Sequence, residues 1–113
     1  MELSVVDLGP HAACLVLNGR LDTPGVDEIE TRFVDAARAA GRSVLVDLSG
    51  VGFVSSMGVR MLITTARSLQ ASQRRMALFG AQSLVAEMLD TVALDQIIPV
   101  ARDQAGALAL LQP

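Results

Sequence analysis

A chain of 113 residues with 51% apolar residues has the size of one compact domain, whose core can form without disulfide or metal staples. One cysteine, Cys14, and one histidine, His11, exclude a disulfide framework, a Cys-rich zinc site and any mechanism that needs two imidazoles. The net charge of −3, the absence of Trp and Tyr and the lack of any Lys argue against nucleic-acid binding and exclude Schiff-base or phosphate-loop lysine chemistry.

In chain order, Leu3–Leu8 and Ala12–Leu17 are strand candidates separated by the turn signal Gly9-Pro10, which suggests an antiparallel N-terminal pair. Asp22 or Thr23 caps the first helix, Pro24 suits its first helical position, and Asp27 and Glu28 suit its positive end. Val26, Ile29, Phe33 and Ala37 (or Ala36) repeat at helical spacing, and Gly41 follows where a left-handed cap belongs. Ser43–Leu48 is a strand whose continuous Val44-Leu45-Val46 run predicts burial on both faces. Ser49–Ser55 is expected as a Gly-containing loop, and a second helix runs from about Ser56 to Ala71. Met76–Phe79 is the next strand, and about Gln82 to Thr91 a third helix. Ile97-Ile98 is a short strand ended by Pro99, and Asp103 caps a last helix carrying Leu108 and Leu111. The order ββαβαβαβα predicts one α/β domain over residues 1–113, with a mostly parallel sheet, an N-terminal antiparallel strand and about four helices. Met1–Leu8 carries Glu2 and Asp7 and lacks a basic leader region, and every apolar run falls short of the ~20 residues that span a bilayer. The expected compartment is the cytoplasm, without membrane insertion.

The informative stretch runs from Val46 to Val59. A strand ends at Asp47, glycines 50 and 52 follow, and Ser55 and Ser56 open a helix. Three readings compete for the serines. Either can be a helix cap, which stabilises by about 1 kcal/mol. A serine nucleophile is a poor fit, because Ser56 has Gly58 two residues after it but Val54 before it, and His11 is its only candidate base. A phosphorylatable serine is the third reading, since a phosphate at a helix start meets free N–H groups and a favourable dipole.

Asp47-Leu48-Ser49, Phe53 and Ser55-Ser56-Met57-Gly58-Val59 together resemble the STAS domain family, and the bacterial anti-sigma factor antagonists in particular. Gly19-Arg20-Leu21-Asp22 and the segment from Met88 to Pro99 extend the resemblance over essentially the whole chain. The resemblance implies a STAS-like fold and a non-enzymatic protein without cofactor or metal. It implies partner switching: the unphosphorylated chain binds an anti-sigma factor/serine kinase, and phosphorylation of Ser56 releases it. Ser55 is the lesser candidate acceptor. The resemblance also implies Asp22, Asp47, Ser49 and Gly58 as the surroundings of the switch. Ser55 stands where the family pattern has Asp, and Met57 where it has a second Ser. The alternative is a stand-alone STAS subunit bound to a transporter ATPase, or another signalling assembly, without a working phospho-switch. A small hydrolase and a phospho-acceptor receiver domain are weaker rivals, the first for want of an acid–base set and the second for want of a Lys.

On a helical wheel at about 100° per residue, Val59, Leu62, Ile63, Ala66 and Leu69 form one face of the second helix, expected against the sheet. Met57, Met61, Thr64 and Ser68 fall near the opposite side. With Arg60, residues Met57, Met61 and Thr64 are the candidate partner-binding surface, the alternatives being cover by neighbouring structure for the Met pair and a solvated face for Arg60 and Arg67.

Overall fold

The computed structural model describes residues 1–111. The expected domain over residues 1–113 includes Gln112 and Pro113, which lie outside the described residues. Five strands form one sheet in the order β1-β2-β3-β4-β5: β1 (Glu2–Asp7), β2 (Ala12–Leu21), β3 (Ser43–Val54), β4 (Met76–Phe79) and β5 (Val100–Ala101). β1 pairs antiparallel with β2, and the remaining neighbours are parallel. The helices are α1 (Thr23–Ala39), α2 (Ser56–Ala71), α3 (Ser83–Thr91) and α4 (Gln104–Leu111), with a 3₁₀ turn at Leu94–Gln96.

Each parallel crossover steps one strand in the same direction. Right-handed crossovers therefore lay α1, α2 and α3 on one face of the sheet. That face holds the main core, where Leu15, Leu17, Val44, Val46 and Leu78 meet Ile29 and Phe33 of α1, Leu62 and Leu69 of α2 and Val85 of α3. Full burial of each such side chain contributes about 1.5–3 kcal/mol. The opposite face carries a smaller cluster, Cys14, Leu45, Ala77 and Phe79, covered by Ala107 of α4. Val44, Leu45 and Val46 are all fully buried, because β3 is covered on both faces. Val26, Ile29, Phe33 and Ala37 form the buried stripe of α1, and Gly41 adopts φ +66° just after the helix. Arg74 donates to the terminal carbonyls of Ala37 and Arg38 at 3.2 and 3.0 Å, tying the end of α1 to the segment after α2.

Two expectations fail. The segment expected as a loop after Leu48 continues β3 to Val54, paired with an equally extended β2. Of its two glycines, Gly50 is a close-approach residue rather than a turn: a Cβ there would overlap the side-chain oxygen of Asn18 on the neighbouring strand, whereas Gly52 faces open space. The pairing slips between Val16 and Asn18 and again between Gly19 and Arg20, so two irregularities carry the strands onward together. The second failure is Ile97-Ile98. Backbone N–H groups of both residues donate to the Leu94 carbonyl at 2.9 Å, which closes a turn, and the strand begins only after Pro99.

Candidate functional site

β2 and β3 reach a common end, where the Ser55 N–H donates to the Leu21 carbonyl at 2.8 Å. From that junction each strand turns into a helix, so the N-termini of α1 and α2 lie side by side. Both starts follow one local rule, in which a capping side chain accepts from the backbone N–H of a glycine three residues on. For α1, Asp22 Oδ1 accepts from the Gly25 N–H at 2.9 Å. For α2, Ser55 Oγ accepts from the Gly58 N–H at 3.2 Å. Both glycines are buried against the strand end. A Cβ on Gly58 would stand 2.9 Å from the Leu21 carbonyl oxygen and 3.1 Å from a Val54 methyl.

Asp22 is further organised by its neighbours. Arg20 Nε donates to Asp22 Oδ2 at 3.3 Å, and the Arg20 guanidinium lies 4.6 Å from the centroid of the Phe53 ring. The Gly25 N–H above all holds the Asp22 carboxyl below the usual carboxylate range; desolvation opposes it, and the Arg20 side chain adds to the lowering. Sequence reading did not single out Arg20 or place its partner. Arg20 and Asp22, two apart, share a strand face, but Phe53 joins them only because β2–β3 pairing sets Arg20 directly opposite it.

The two adjacent serines have different environments. Ser55 is half-buried, extended at φ −83°, ψ 171°, and occupied as the cap. Ser56 is the first helical residue, exposed, and makes no side-chain hydrogen bond among the described residues. The first turn of α2 holds no acidic side chain. One turn on, at the i+4 position, is exposed Arg60, followed by exposed Thr64. Met57 is 40% exposed beside them. A phosphate on Ser56 would therefore sit at the positive end of a helix, with Arg60 one turn further on.

Three site expectations need correction. Met61 is 1% exposed and belongs to the core, so it cannot join Met57 on the surface. The buried arc of α2 is Gly58, Met61, Leu62, Thr65, Ala66 and Leu69, whereas Val59 and Ile63 are half-buried. It is rotated from the wheel's apolar face because α2 packs on α1 as well as on the sheet. Thr65 tolerates burial because its hydroxyl donates to the Met61 carbonyl at 2.8 Å. Asp47 and Ser49 are the second and third corrections. Asp47 is not at a strand end: it pairs with Val16 and Phe79 in mid-sheet, seven residues before Val54, or roughly 20 Å along the strand. There its carboxylate accepts from the Ser49 N–H at 2.9 Å, and the Ser49 carbonyl accepts from Gln82 Nε2 at 2.8 Å. Asp22 and Gly58 thus gather at Ser56, while Asp47 and Ser49 organise the entry to α3. Burial first, and Asp47 second, push the Cys14 thiol up to about 11. Among the described residues, no group of three or more His, Cys, Asp and Glu is placed to hold a metal ion, and no helix is long and apolar enough to cross a membrane.

Comparison with known proteins places this geometry. Residues 4–99 match the family model described as "Mlab, STAS domain". The chain is 26% identical over 101 residues to "Putative anti-sigma factor antagonist BtrV" of Bordetella bronchiseptica, covering 89% of this chain and 85% of that protein. A crystal structure of an anti-sigma factor antagonist from Mycobacterium paratuberculosis superposes with a TM-score of 0.86 at 20% identity, covering 99% of this chain and 94% of that one. The Bacillus cell fate determinant SpoIIAA in its phosphorylated form superposes with a TM-score of 0.68 at 18% identity, over 98% of this chain and 100% of that one. The structural likenesses establish a shared fold.

Proposed function

The chain belongs to the STAS domain family, and from that premise we propose that it is an anti-sigma factor antagonist acting by partner switching. In its unphosphorylated form it binds an anti-sigma factor that is also a serine kinase, through the start of α2, with Met57, Arg60 and Thr64 in contact. The kinase, with its own ATP and Mg²⁺, transfers a phosphoryl group to the Ser56 hydroxyl, and the complex separates. The chain is not itself an enzyme in this reading and takes no cofactor. BtrV's name and the phosphorylated SpoIIAA structure support it. The observation that carries it is the division of labour between two serines: Ser55 is spent on the cap, and Ser56 stands exposed at the helix start.

The physics of release follows from the asymmetry of the site. A phosphoserine adds a charge of about −1.5 to −2. On the free protomer that charge is stabilised by the helix end and by Arg60, so the fold tolerates it. In a complex, the same charge must lose water against the partner. An uncompensated interfacial charge costs at least about 2 kcal/mol, or roughly 30-fold in Kd. The test has two parts. Incubation with the cognate kinase and ATP is expected to label Ser56, located by mass spectrometry; label on Ser55 alone, or none, contradicts the assignment. Ser56→Asp is expected to weaken partner binding by about ten-fold or more with the melting temperature nearly unchanged. Unchanged affinity defeats the mechanism.

A second reading has its own support. Ser55 leaves the acceptor without an acidic neighbour on α2, and the matched family description names Mlab. On that reading the chain is a STAS subunit of a transporter assembly and has no phospho-switch. Co-purification of a permease and an ATPase, with no kinase, would favour it.

A further inference from the structure

At the end of the sheet remote from Ser56, the segment Asp95–Val100 forms a ridge between two shallow clefts. From Ser56 to Gln70, α2 itself spans roughly 20 Å, which sets the distance between the two regions. The ridge is apolar and exposed: Ile97 is 40% and Val100 36% accessible, and Pro99 is exposed between them. On one side a cleft of about 270 Å³ runs along Gln70, Arg75, Ile97 and Pro99. On the other side a cleft of about 210 Å³ is walled by Ala86, Leu89 and Val100 and carries Asp90 and Asp95.

The charges on the two sides form no ion pair among the described residues. Ion pairs among the described residues join Met1 to Glu28, Arg20 to Asp22 and Arg42 to Asp7, and involve neither Arg75 nor the two carboxylates. Arg75 is exposed and uses only its backbone, donating to Ser43 Oγ at 3.1 Å and accepting from the Val44 N–H at 2.9 Å. One face thus presents a lone guanidinium, then an apolar ridge, then a cleft with two carboxylates. Rotation by a two-fold axis through the ridge lays guanidinium over carboxylates twice and ridge against ridge. An isologous interface demands that kind of self-complementarity. A uniformly basic partner would meet Arg75 with like charge.

We propose that two copies of this chain associate through the Asp95–Val100 ridge, Arg75 of each entering the Asp90–Asp95 cleft of the other. A contact at the low end for specific interfaces, roughly 600 Å² per copy, would use about a tenth of the 6002 Å² surface. The dimer is therefore weak, and its assembly is separate from the events at Ser56.

Sedimentation equilibrium from micromolar to millimolar protein tests it. The wild type is expected to dimerise reversibly. Arg75→Glu alone and Asp95→Arg alone each set like charges opposite at both symmetric contacts, and each should weaken self-association about ten-fold. An equimolar mixture of the two variants should regain near wild-type association as a heterodimer, since each copy then meets the opposite charge. That recovery cannot arise from misfolding of either variant. Ser56→Asp should leave the dimer unchanged, so failure of this proposal and failure of the switch are separately visible. A wild type that stays monomeric, single variants that associate like wild type, or a mixture that does not recover overturns the proposal; capture of a basic partner by a monomeric wild type counts among these results.

Discussion

Replacing each of the two adjacent serines by alanine separates a structural hydroxyl from a functional one. Ser55→Ala deletes the oxygen that accepts the Gly58 N–H at 3.2 Å. Loss of an N-cap costs about 0.5–2 kcal/mol. Here the orphaned N–H belongs to a buried glycine pressed against Leu21 and Val54, where water cannot readily replace the lost partner. The upper part of that range applies, about 1.5–2 kcal/mol. At roughly 4 °C per kcal/mol for a domain of this size, the melting temperature should fall by about 6–8 °C. Ser56→Ala removes an exposed hydroxyl with no hydrogen-bond partner among the described residues, at a position where alanine is a good helix former. Its effect should stay within about 0.5 kcal/mol. Thermal unfolding followed by circular dichroism reads both, and kinase labelling of the same samples reads function. Ser55→Ala should be less stable yet still labelled, whereas Ser56→Ala should be stable and unlabelled. Ser55→Asp, which keeps a capping oxygen and suits the helix dipole, should recover the lost stability. Equal stability losses for the two alanine variants, or labelling that follows Ser55, would refute the assignment of cap and acceptor.

Gly58→Ala sets a helix-propensity gain of about 1 kcal/mol against a Cβ only 2.9 Å from the Leu21 carbonyl oxygen. Because backbone must move, the steric term should win by about 1–2 kcal/mol, seen in denaturant melts with an unchanged m-value. The lowered Asp22 carboxyl contributes stability above the ordinary carboxylate pKa, and that contribution is lost as pH falls through the lowered value. The melting-temperature gap between wild type and Asp22→Asn should thus be present above about pH 5 and close on acidification below about pH 4. For Cys14 the sign is opposite: with the thiol raised from 9.0 to about 11, its contribution is full below pH 9 and declines as pH rises toward 11. Thiol-specific reagents should label native Cys14 far more slowly than the unfolded chain at pH 8, and rapid native labelling would show the thiol to be accessible.

Local chemistry explains which parts of the molecule are legible in the sequence. The buried stripe of α1, its Asp22 cap, the doubly buried Val44-Leu45-Val46 run and the Asp103 cap of α4, which accepts from the Gly106 N–H at 2.8 Å, depend on neighbours within a turn or two. Gly50 misled because glycine marks both turns and close strand approach, and only the partner strand distinguishes them. Met61 misled for a related reason: a wheel ranks hydrophobicity around one helix, but burial depends on which neighbours surround it, and α2 has both the sheet and α1.

By itself the sequence determined the α/β order, the antiparallel start and a hydroxyl-bearing helix start matching a known pattern, since periodicity, turn residues and caps are local. Tertiary structure decided that Ser55 rather than Ser56 is occupied, that Arg20 stacks on Phe53, and that Asp47 lies in mid-strand, roughly 20 Å along β3 from the strand's end. Those facts follow from strand register and from how far β3 runs before it turns, both set by pairing with β2. Pairing is a property of two segments together, so no reading of either one alone contains it.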